Sequence, residues 1–533
     1  MKTAVEKDRQ PVLSNTCWKQ LEHWQVTVLG VGVIFLLFLA FFNLTKYPLT
    51  WFDEGSHLHV PKTLVNYGVY ADFSSEGFRY YGPTAGIGPT VFLPIAGAFK
   101  LFGIGLFQAR LVMVLYLLAA IYFFFRLARH YGDHLSEGGD VVFAMVVTAL
   151  LVTSRGIDLL EYGRQVLGEV PGLVFLVAGL LVWYQSWEKP AVARLMAAGL
   201  LLGLSTVTKN QYLLVLAPAL LLMWLANLIY YKAVAQRVFL VTGTVTALCY
   251  GVWQVYMVFF MGPASASENF ALLQAGTAGA ALVFSTELMS RGISELFSFK
   301  VFLGFLLPAV AYGFFLSLPR TKEGLRWGVI FALVLSNLAW YVLASISWNR
   351  YSFPGQVFST LFVAKIFSDW TDGFKWEPAA ILKGLRTGQK LAARAALSTV
   401  LLFWLALMIV IPLGQNVMSI VRPSFNAPEA MAAYMDQHVD KKALVETWEP
   451  EMGFLTHHNY HFPPPGLLYT AVSYIWMHKS PPANVYDFVQ NQKPAYVLVG
   501  SFSSWVELYS PDLLKTYYSL ETEIGAYRLY VRN

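Results

Sequence analysis

Charge is what this chain has least of. Of its 533 residues only 13% are Asp, Glu, Lys or Arg, against roughly 25% in ordinary soluble proteins. That shortage excludes a solvated globular surface of the usual extent. It equally excludes a charged disordered chain. Cysteine is nearly absent: Cys17 falls in a polar N-terminal segment and Cys249 inside an apolar run, so the two cannot meet in a disulfide. No internal repeat or low-complexity tract stands out, which removes solenoids and arrays. The net charge of +6 is modest and sorts by loop, which reads as membrane topology rather than nucleic-acid binding. What the chain does have is 56% apolar residues, the composition of a polytopic membrane protein.

Crossing about 30 Å of hydrocarbon takes roughly 20 apolar residues. Eleven stretches qualify: 26–44, 106–128, 140–155, 167–185, 192–207, 211–231, 236–261, 299–318, 326–345, 351–368 and 393–414. A twelfth, 89–103, is short and carries Pro89, Pro94 and Lys100, so it is expected to lie at the interface as a helix. The segment 1–25 is polar and no small-residue cleavage site follows the first span, which predicts an uncleaved, cytoplasmic N-terminus. Lys and Arg are retained on the cytoplasmic side, and they fall in alternate loops: Lys2 to Lys19, Arg126 and Arg129, Lys189 and Arg194, Lys232 and Arg237, Arg320 to Arg326, and Lys375 to Arg394. Counting 89–103 as a span would invert every later loop.

The outer side then holds 45–105, 156–166, the turn 208–210, 262–298, 345–350 and everything after 414. The expected fold class is an all-α polytopic membrane protein of about eleven spans, with a membrane domain at 26–414 and a small extracytoplasmic α/β domain at 415–533. Strand-like runs in that domain are Ala443–Trp448, Tyr496–Gly500 and Tyr527–Val531, and 427–438 reads as a helix.

The unusual polar residues gather on that outer face. Asp53 and Glu54 follow the first span, with His57, His59, Arg79, Tyr80 and Tyr81 further along the same loop. Glu169, Lys209 and Arg350 sit at the outer ends of later spans, and Tyr351 follows directly. Lys209 and Arg350 break the positive-inside pattern, so topology does not account for them. Carboxylates beside isolated cations suit chemistry on a lipid phosphate: the cations stabilise it as a leaving group, and a carboxylate deprotonates a hydroxyl nucleophile. Plain readings compete. Asp53-Glu54 could cap a helix, Glu169 could simply start one, and Lys209 and Arg350 could snorkel to head groups. A His57/His59/Asp53 metal site is weakly supported by spacing. Arg155, Asp158, Glu161 and Arg164 read as solvated loop charges. The small-residue loop 262–298, with Glu268, Glu287 and Arg291, is either a closing loop or a passive connector.

An ordered set of motifs carries a resemblance over about 350 residues: Asp53-Glu54, Gly68-Val69-Tyr70-Ala71-Asp72, Lys100-Leu101-Phe102-Gly103 with Ala109-Arg110-Leu111, Gly168-Glu169-Val170-Pro171, Ala198-Gly199 through Thr208-Lys209, and Arg350-Tyr351 with Pro354. The chain resembles membrane-embedded glycosyltransferases of the C-type fold, in the branch of protein O-mannosyltransferases and lipid A aminoarabinose transferases. The resemblance implies a polyprenyl-phosphate sugar donor, an extracytoplasmic acceptor hydroxyl on a glycan, lipid or protein, and single displacement with inversion. It makes Asp53 the base, with Glu54 shaping the catalytic site, and Glu169 a second acid. Lys209, Arg350 and Arg79 would hold the phosphate, with His57, Tyr81 and Tyr351 completing the substrate-binding set. It assigns no cofactor and leaves a divalent ion open, and it places the enzyme in a bacterial inner membrane. Arg79-Tyr80-Tyr81-Gly82-Pro83 stands where aminoarabinose transferases have Lys-Pro-Pro, and no mannosyltransferase repeat module is inserted between spans. The rival from another class is a transporter or flippase of lipid-linked sugars, which would keep charge near the bilayer midplane and show related halves. A non-catalytic scaffold gives no reason for Lys209 and Arg350 to be outside.

Overall fold

The computed structural model of the protein describes residues 22–80, 86–132, 138–261, 265–277, 281–376, 379, 391–464, 466–467 and 486–533. Cys17, Tyr81 and Arg79's neighbours beyond Tyr80 up to residue 85 lie outside them. Helices dominate because backbone groups in hydrocarbon have no water to turn to and must bond within their own segment. The first half holds α1 (His23–Phe41), α2 (Phe52–Tyr67), α3 (Pro89–Phe102), α4 (Leu106–Gly132), α5 (Gly139–Thr153), α6 (Leu159–Tyr162), α7 (Glu169–Gln185) and α8 (Val192–Thr208). Then follow α9 (Gln211–Ala226), α10 (Arg237–Phe260), α11 (Ala266–Gly276), α12 (Thr286–Leu296), α13 (Leu306–Ser317), α14 (Lys322–Ala344), α15 (Phe353–Trp370) and α16 (Leu391–Val421).

Each of the eleven apolar stretches is helical over most of its length. Among the described residues six helices are long and apolar enough to cross a membrane unaided: α1, α4, α9 with its π-helical extension to Tyr231, α10, α14 and the 394–421 part of α16. The shorter apolar helices α5, α7, α8 and α13 are flanked by these. The expected span 299–318 is shorter than its hydropathy suggests. Its helix starts only at Leu306, after a 3₁₀ turn at Phe302–Gly304 in which Leu303 adopts a left-handed conformation. The bundle core runs through α4, α5, α7, α14 and α15, with Phe124, Phe143, Trp183, Phe358 and Phe362 fully buried.

The segment 45–105 is more structured than its sequence suggests. Between α2 and α3 lies a hairpin of β1 (Ala71–Ser74) and β2 (Gly77–Tyr80), turned at Gly77 with φ +101. Helix α3 covers the stretch 89–103, where a helix was expected. It buries Val91, Phe92, Ile95 and Phe99 and leaves Leu93, Leu101 and Phe102 exposed, an apolar outer side suited to lipid. The stretch 262–298 contains α11 and α12, and α12 buries Leu288, Gly292 and Leu296 four residues apart. One reading fails outright: Arg164 is not a solvated loop charge. It is fully buried and donates to the carbonyls of Leu39, Phe42 and Tyr47, because the last turn of α1 leaves carbonyls that need donors.

After α16 the chain builds a small α/β domain. Helix α17 (Ala427–His438) is capped by Asn426, whose side chain accepts from the Glu429 backbone, with Pro428 in its first turn. The sheet has the order β4-β3-β5-β7-β6, made of β3 (Leu444–Thr447), β4 (Asn459–His461), β5 (Tyr496–Val499), β6 (Tyr518–Ile524) and β7 (Tyr527–Arg532). Strand β3 is parallel to β4 and β5, and β7 is antiparallel to β5 and β6. Strands β4 and β6 were not legible: the first is three residues long and the second is largely exposed on both faces. Helix α18 (Pro450–Leu455) docks this domain onto α2. The fit is so close that a Cβ on Gly55 would lie 2.2 Å from the Glu451 backbone nitrogen. His59 Nε2 meets the Pro450 carbonyl at 2.7 Å. Lys62 donates to the carbonyls of Gly453 and Thr456 at 2.8 and 3.2 Å, and burial pulls its pKa down to about 8.

Candidate active site

Helix α2 opens with Asp53 and Glu54 in its first turn, where the helix dipole favours acids. Successive helical residues point about 100° apart, and here that angle separates two environments. Glu54 turns inward. Arg110 of α4 donates to it from Nε at 2.9 Å and from Nη2 at 2.5 Å, and both side chains are fully buried. The Val166 amide adds a third bond at 3.1 Å, while Arg110 also reaches the Leu44 carbonyl at 2.8 Å. Glu54 is thus saturated and braces α2 against α4 and the segment before α7. Arg110 had been quoted only as part of a motif. Its signal was the one used for Lys209 and Arg350, a cation at the outer end of a span.

Asp53 turns the other way and forms an ion pair with Arg350. His57 follows one turn later, and its Nδ1 lies 2.7 Å from the Val166 carbonyl, so the proton sits on Nδ1 and Nε2 is left as an acceptor. Burial works against charge on Asp53, but Arg350, followed by His57 and lastly Lys209, outweighs it and holds the carboxyl below its ordinary value. Burial pushes His57 down to about 4, against the pull of Asp53, so the ring is neutral at physiological pH.

The second acid–cation pair is Glu169–Lys209. Glu169 is the first residue of α7, and Lys209 ends α8 with an extended backbone. Lys209 is positioned by the segment 45–105: Ile87 bridges to it, the Gly88 amide donates to the Thr208 carbonyl at 3.1 Å, and the Thr90 and Thr208 hydroxyls meet at 2.7 Å. Only glycine fits at 88, since a Cβ would come within 2.0 Å of the Val207 carbonyl oxygen.

The four charges form one cluster. Asp53 acts on Lys209 as well as on Arg350, and Arg350 acts on Glu169 as well as on Asp53. Arg350 sits in the 3₁₀ turn Asn349–Ser352 with aromatic rings around its guanidinium: Trp348 at 4.7 Å, Trp51 at 5.4 Å and Tyr351 at 5.8 Å. Within this cluster Nη1 of Arg350 meets only the Asp53 carboxylate, and two further buried atoms, Nε of Arg350 and Oε2 of Glu169, have no hydrogen-bond partner among the described residues. Buried polar groups are normally satisfied, so both are free to engage something that binds here.

Asp53, His57, Glu169, Lys209, Arg350 and Tyr351 are therefore brought together. Arg79 is not: it donates to Asp72 at 2.8 and 3.0 Å and stacks over Phe462 at 4.7 Å, tying the hairpin to the terminal domain. Tyr81 lies outside the described residues. No group of three or more His, Cys, Asp or Glu among the described residues is arranged to hold a metal ion. His59, half of the His-x-His considered for one, faces α18 instead.

A helical membrane bundle, a helix–hairpin–helix segment over its mouth and a docked α/β domain define the class: this is the C-type glycosyltransferase fold. No protein-family model matches the chain, and no curated protein sequence does. Solved structures do. ArnT from Cupriavidus metallidurans, in a structure bound to undecaprenyl phosphate, is 13% identical over 97% of this chain and 98% of its own, with a TM-score of 0.60. The apo oligosaccharyltransferase of Archaeoglobus fulgidus is 12% identical over 97% of this chain and 75% of its own, also at 0.60. The same archaeal enzyme, AglB, in complex with an inhibitory peptide and a dolichol-phosphate, gives 0.52 at 12% identity.

Proposed function

We propose that the chain is an integral-membrane glycosyltransferase that moves a sugar from a polyprenyl-phosphate donor to an extracytoplasmic hydroxyl, with inversion. The observation that carries this reading is the paired cluster Asp53–Arg350 and Glu169–Lys209, with an unsatisfied Arg350 Nε at its centre. Two cations beside a buried carboxylate are what a phosphate leaving group and a hydroxyl nucleophile need. ArnT and AglB, whose fold the chain shares, have been solved with undecaprenyl phosphate and dolichol-phosphate, which supports a lipid-phosphate donor.

The donor phosphate would take hydrogen bonds from Arg350 and Lys209. Arg350 then turns part of its fork from Asp53 to the phosphate, so the Asp53 pKa rises and the carboxylate becomes a stronger base. The acceptor oxygen attacks the anomeric carbon as Asp53 removes its proton. The bond from that carbon to the phosphate oxygen breaks, and the polyprenyl phosphate leaves with the electron pair, held by the two cations. Glu169 keeps Lys209 aimed, and neutral His57 adds no competing charge. No general acid is required, because polyprenyl phosphate leaves as a stable monoester anion. The site belongs on the outer face of a bacterial inner membrane, which the basic loops at the opposite helix ends support. The charges lie at helix ends rather than in mid-span, which favours transferase over flippase.

The test is transfer of label from radiolabelled polyprenyl-phosphate sugars by the protein in lipid nanodiscs. Wild type should yield a labelled product that Asp53→Asn does not. Equal transfer by both proteins would remove Asp53 as base, and lipid translocation without transfer would replace the reading with the flippase.

A further inference from the structure

Beside the charged cluster, a cavity of about 710 Å³ opens between the start of α2, α12 and the terminal domain. That volume suits a small-molecule or oligomer unit rather than a solvent crevice. Its lining has two characters. Trp51, Phe52, Trp348, Phe502 and Trp505 supply aromatic faces. Phe52 stacks on Phe502 at 3.7 Å, and Trp348 lies 6.1 Å from Trp505, so the rings form one continuous wall contributed by both domains. Trp505 is 40% exposed.

The polar part of the lining includes the carboxyls Glu449 and Glu451. Ser503 fixes Glu449 through its amide and its hydroxyl, each at 2.8 Å. Tyr527 donates to Oε1 of Glu451 at 2.6 Å. Among the described residues no amide or hydroxyl donor reaches the buried Oε2 of Glu451. Burial and the neighbouring Glu449 keep the Glu451 carboxyl well above the ordinary range, so it offers a neutral O–H as well as acceptor oxygens.

Resting on the transferase reading above, we propose that this cleft binds the acceptor, and that the acceptor is a glycan. Ring CH faces of a sugar pack against aromatic side chains, and its hydroxyls need the mixed donors and acceptors a carboxyl pair provides. A lipid chain would make no use of the carboxyls and hydroxyl in this lining. The cleft also points at the chemistry: Trp51 and Trp348 belong both to its wall and to the rings around Arg350. A sugar held against Trp505 and Trp348 therefore extends a hydroxyl toward Asp53.

The experiment is binding of the full-length protein, in detergent, to an array of neutral, amino and acidic oligosaccharides, with transfer assayed in parallel. Wild type and Asp53→Asn should bind the same neutral or amino glycans. Trp505→Ala should weaken binding at least about tenfold, the loss expected of an interface hot spot, and Trp505→Phe should restore most of it. Absence of any bound glycan, or equal binding by Trp505→Ala, overturns the proposal. So does a Trp505→Ala that binds glycan normally but loses polyprenyl phosphate, which would make the cleft a donor site. Transfer that is intact in Trp505→Ala would leave the transferase standing and remove the cleft. Glycan binding without transfer by wild type would keep the cleft and remove the transferase.

Discussion

Asp53 and Glu54 are neighbours in sequence and opposites in the structure. Glu54 is fully buried, and both its oxygens are bonded to one arginine. Asp53 keeps 19% of its side chain exposed, and its partner Arg350 keeps 13% and an unsatisfied Nε. One pair is closed and the other is open. A closed buried pair fixes a helix in place, since any rearrangement would strand a charge. An open pair can exchange partners, which is what a site handling a phosphate and a proton requires. The lesson is that the number of vacant hydrogen bonds, more than burial or residue type, separates a brace from a reacting group.

The largest effect that would break this comparison is at the open pair. Asp53→Asn should lower transfer by about 10²–10⁴-fold, the range for losing a general base, with a fall in melting temperature in detergent much smaller than that of Glu54→Gln. An equally large fall in melting temperature would make Asp53 a brace like its neighbour. Glu54→Gln should do the reverse. Leaving Arg110 buried beside a neutral partner is expected to destabilise the fold by about 3–5 kcal/mol, read as a marked drop in melting temperature or loss of folded protein. Adding Arg110→Met to it should recover part of that loss, and failure of the double variant to exceed the single one would mean the pair is not the brace described.

A smaller effect is expected at Arg350. Arg350→Lys keeps the charge but loses the planar fork that bonds carboxylate and phosphate while stacking on Trp348. About 1.5–3 kcal/mol of charged hydrogen bonding corresponds to a fall of roughly 10–100-fold in kcat/KM for the donor. A loss confined to the acceptor would put Arg350 outside the phosphate site.

The smallest effect is with pH. A depressed carboxyl pKa means that Asp53 stays ionised, and stabilising in the folded state, above its unfolded value. That contribution is lost as pH falls through the lower folded value. His57, at about 4, is neutral above about pH 5 and gains its proton in the same acid range. The activity of the free enzyme should therefore be level from about pH 5 to 8, with its acid limb below the ordinary carboxylate range near 4. A limb centred near pH 6 would assign the base to a histidine instead.

The membrane architecture was open to a reader of the sequence because hydrocarbon imposes a single local rule. Each apolar run must form its own helix, and Lys and Arg mark one side. The strands at Leu444–Thr447, Tyr496–Val499 and Tyr527–Arg532 were equally open, since their apolar residues are consecutive or alternate. The hairpin Ala71–Tyr80, the three-residue β4 and the late start of α13 were not, because the strands are only three or four residues long and α13 is delayed by the left-handed turn at Leu303.

The candidate site divides along the same line. That Asp53, Glu169, Lys209 and Arg350 share one end of the bundle followed from span counting, an argument about order along the chain. Which acid pairs with which cation did not follow. That Glu54 belongs to Arg110, that Arg79 belongs to Asp72, and that Arg164 is a buried support for the end of α1 were decided by helix rotation and packing. Sequence fixes the side of the membrane on which a residue lies, because partition between water and lipid is local. Only the tertiary structure sets its partner, because an ion pair needs two side chains within a few ångströms, and that distance depends on every helix between them.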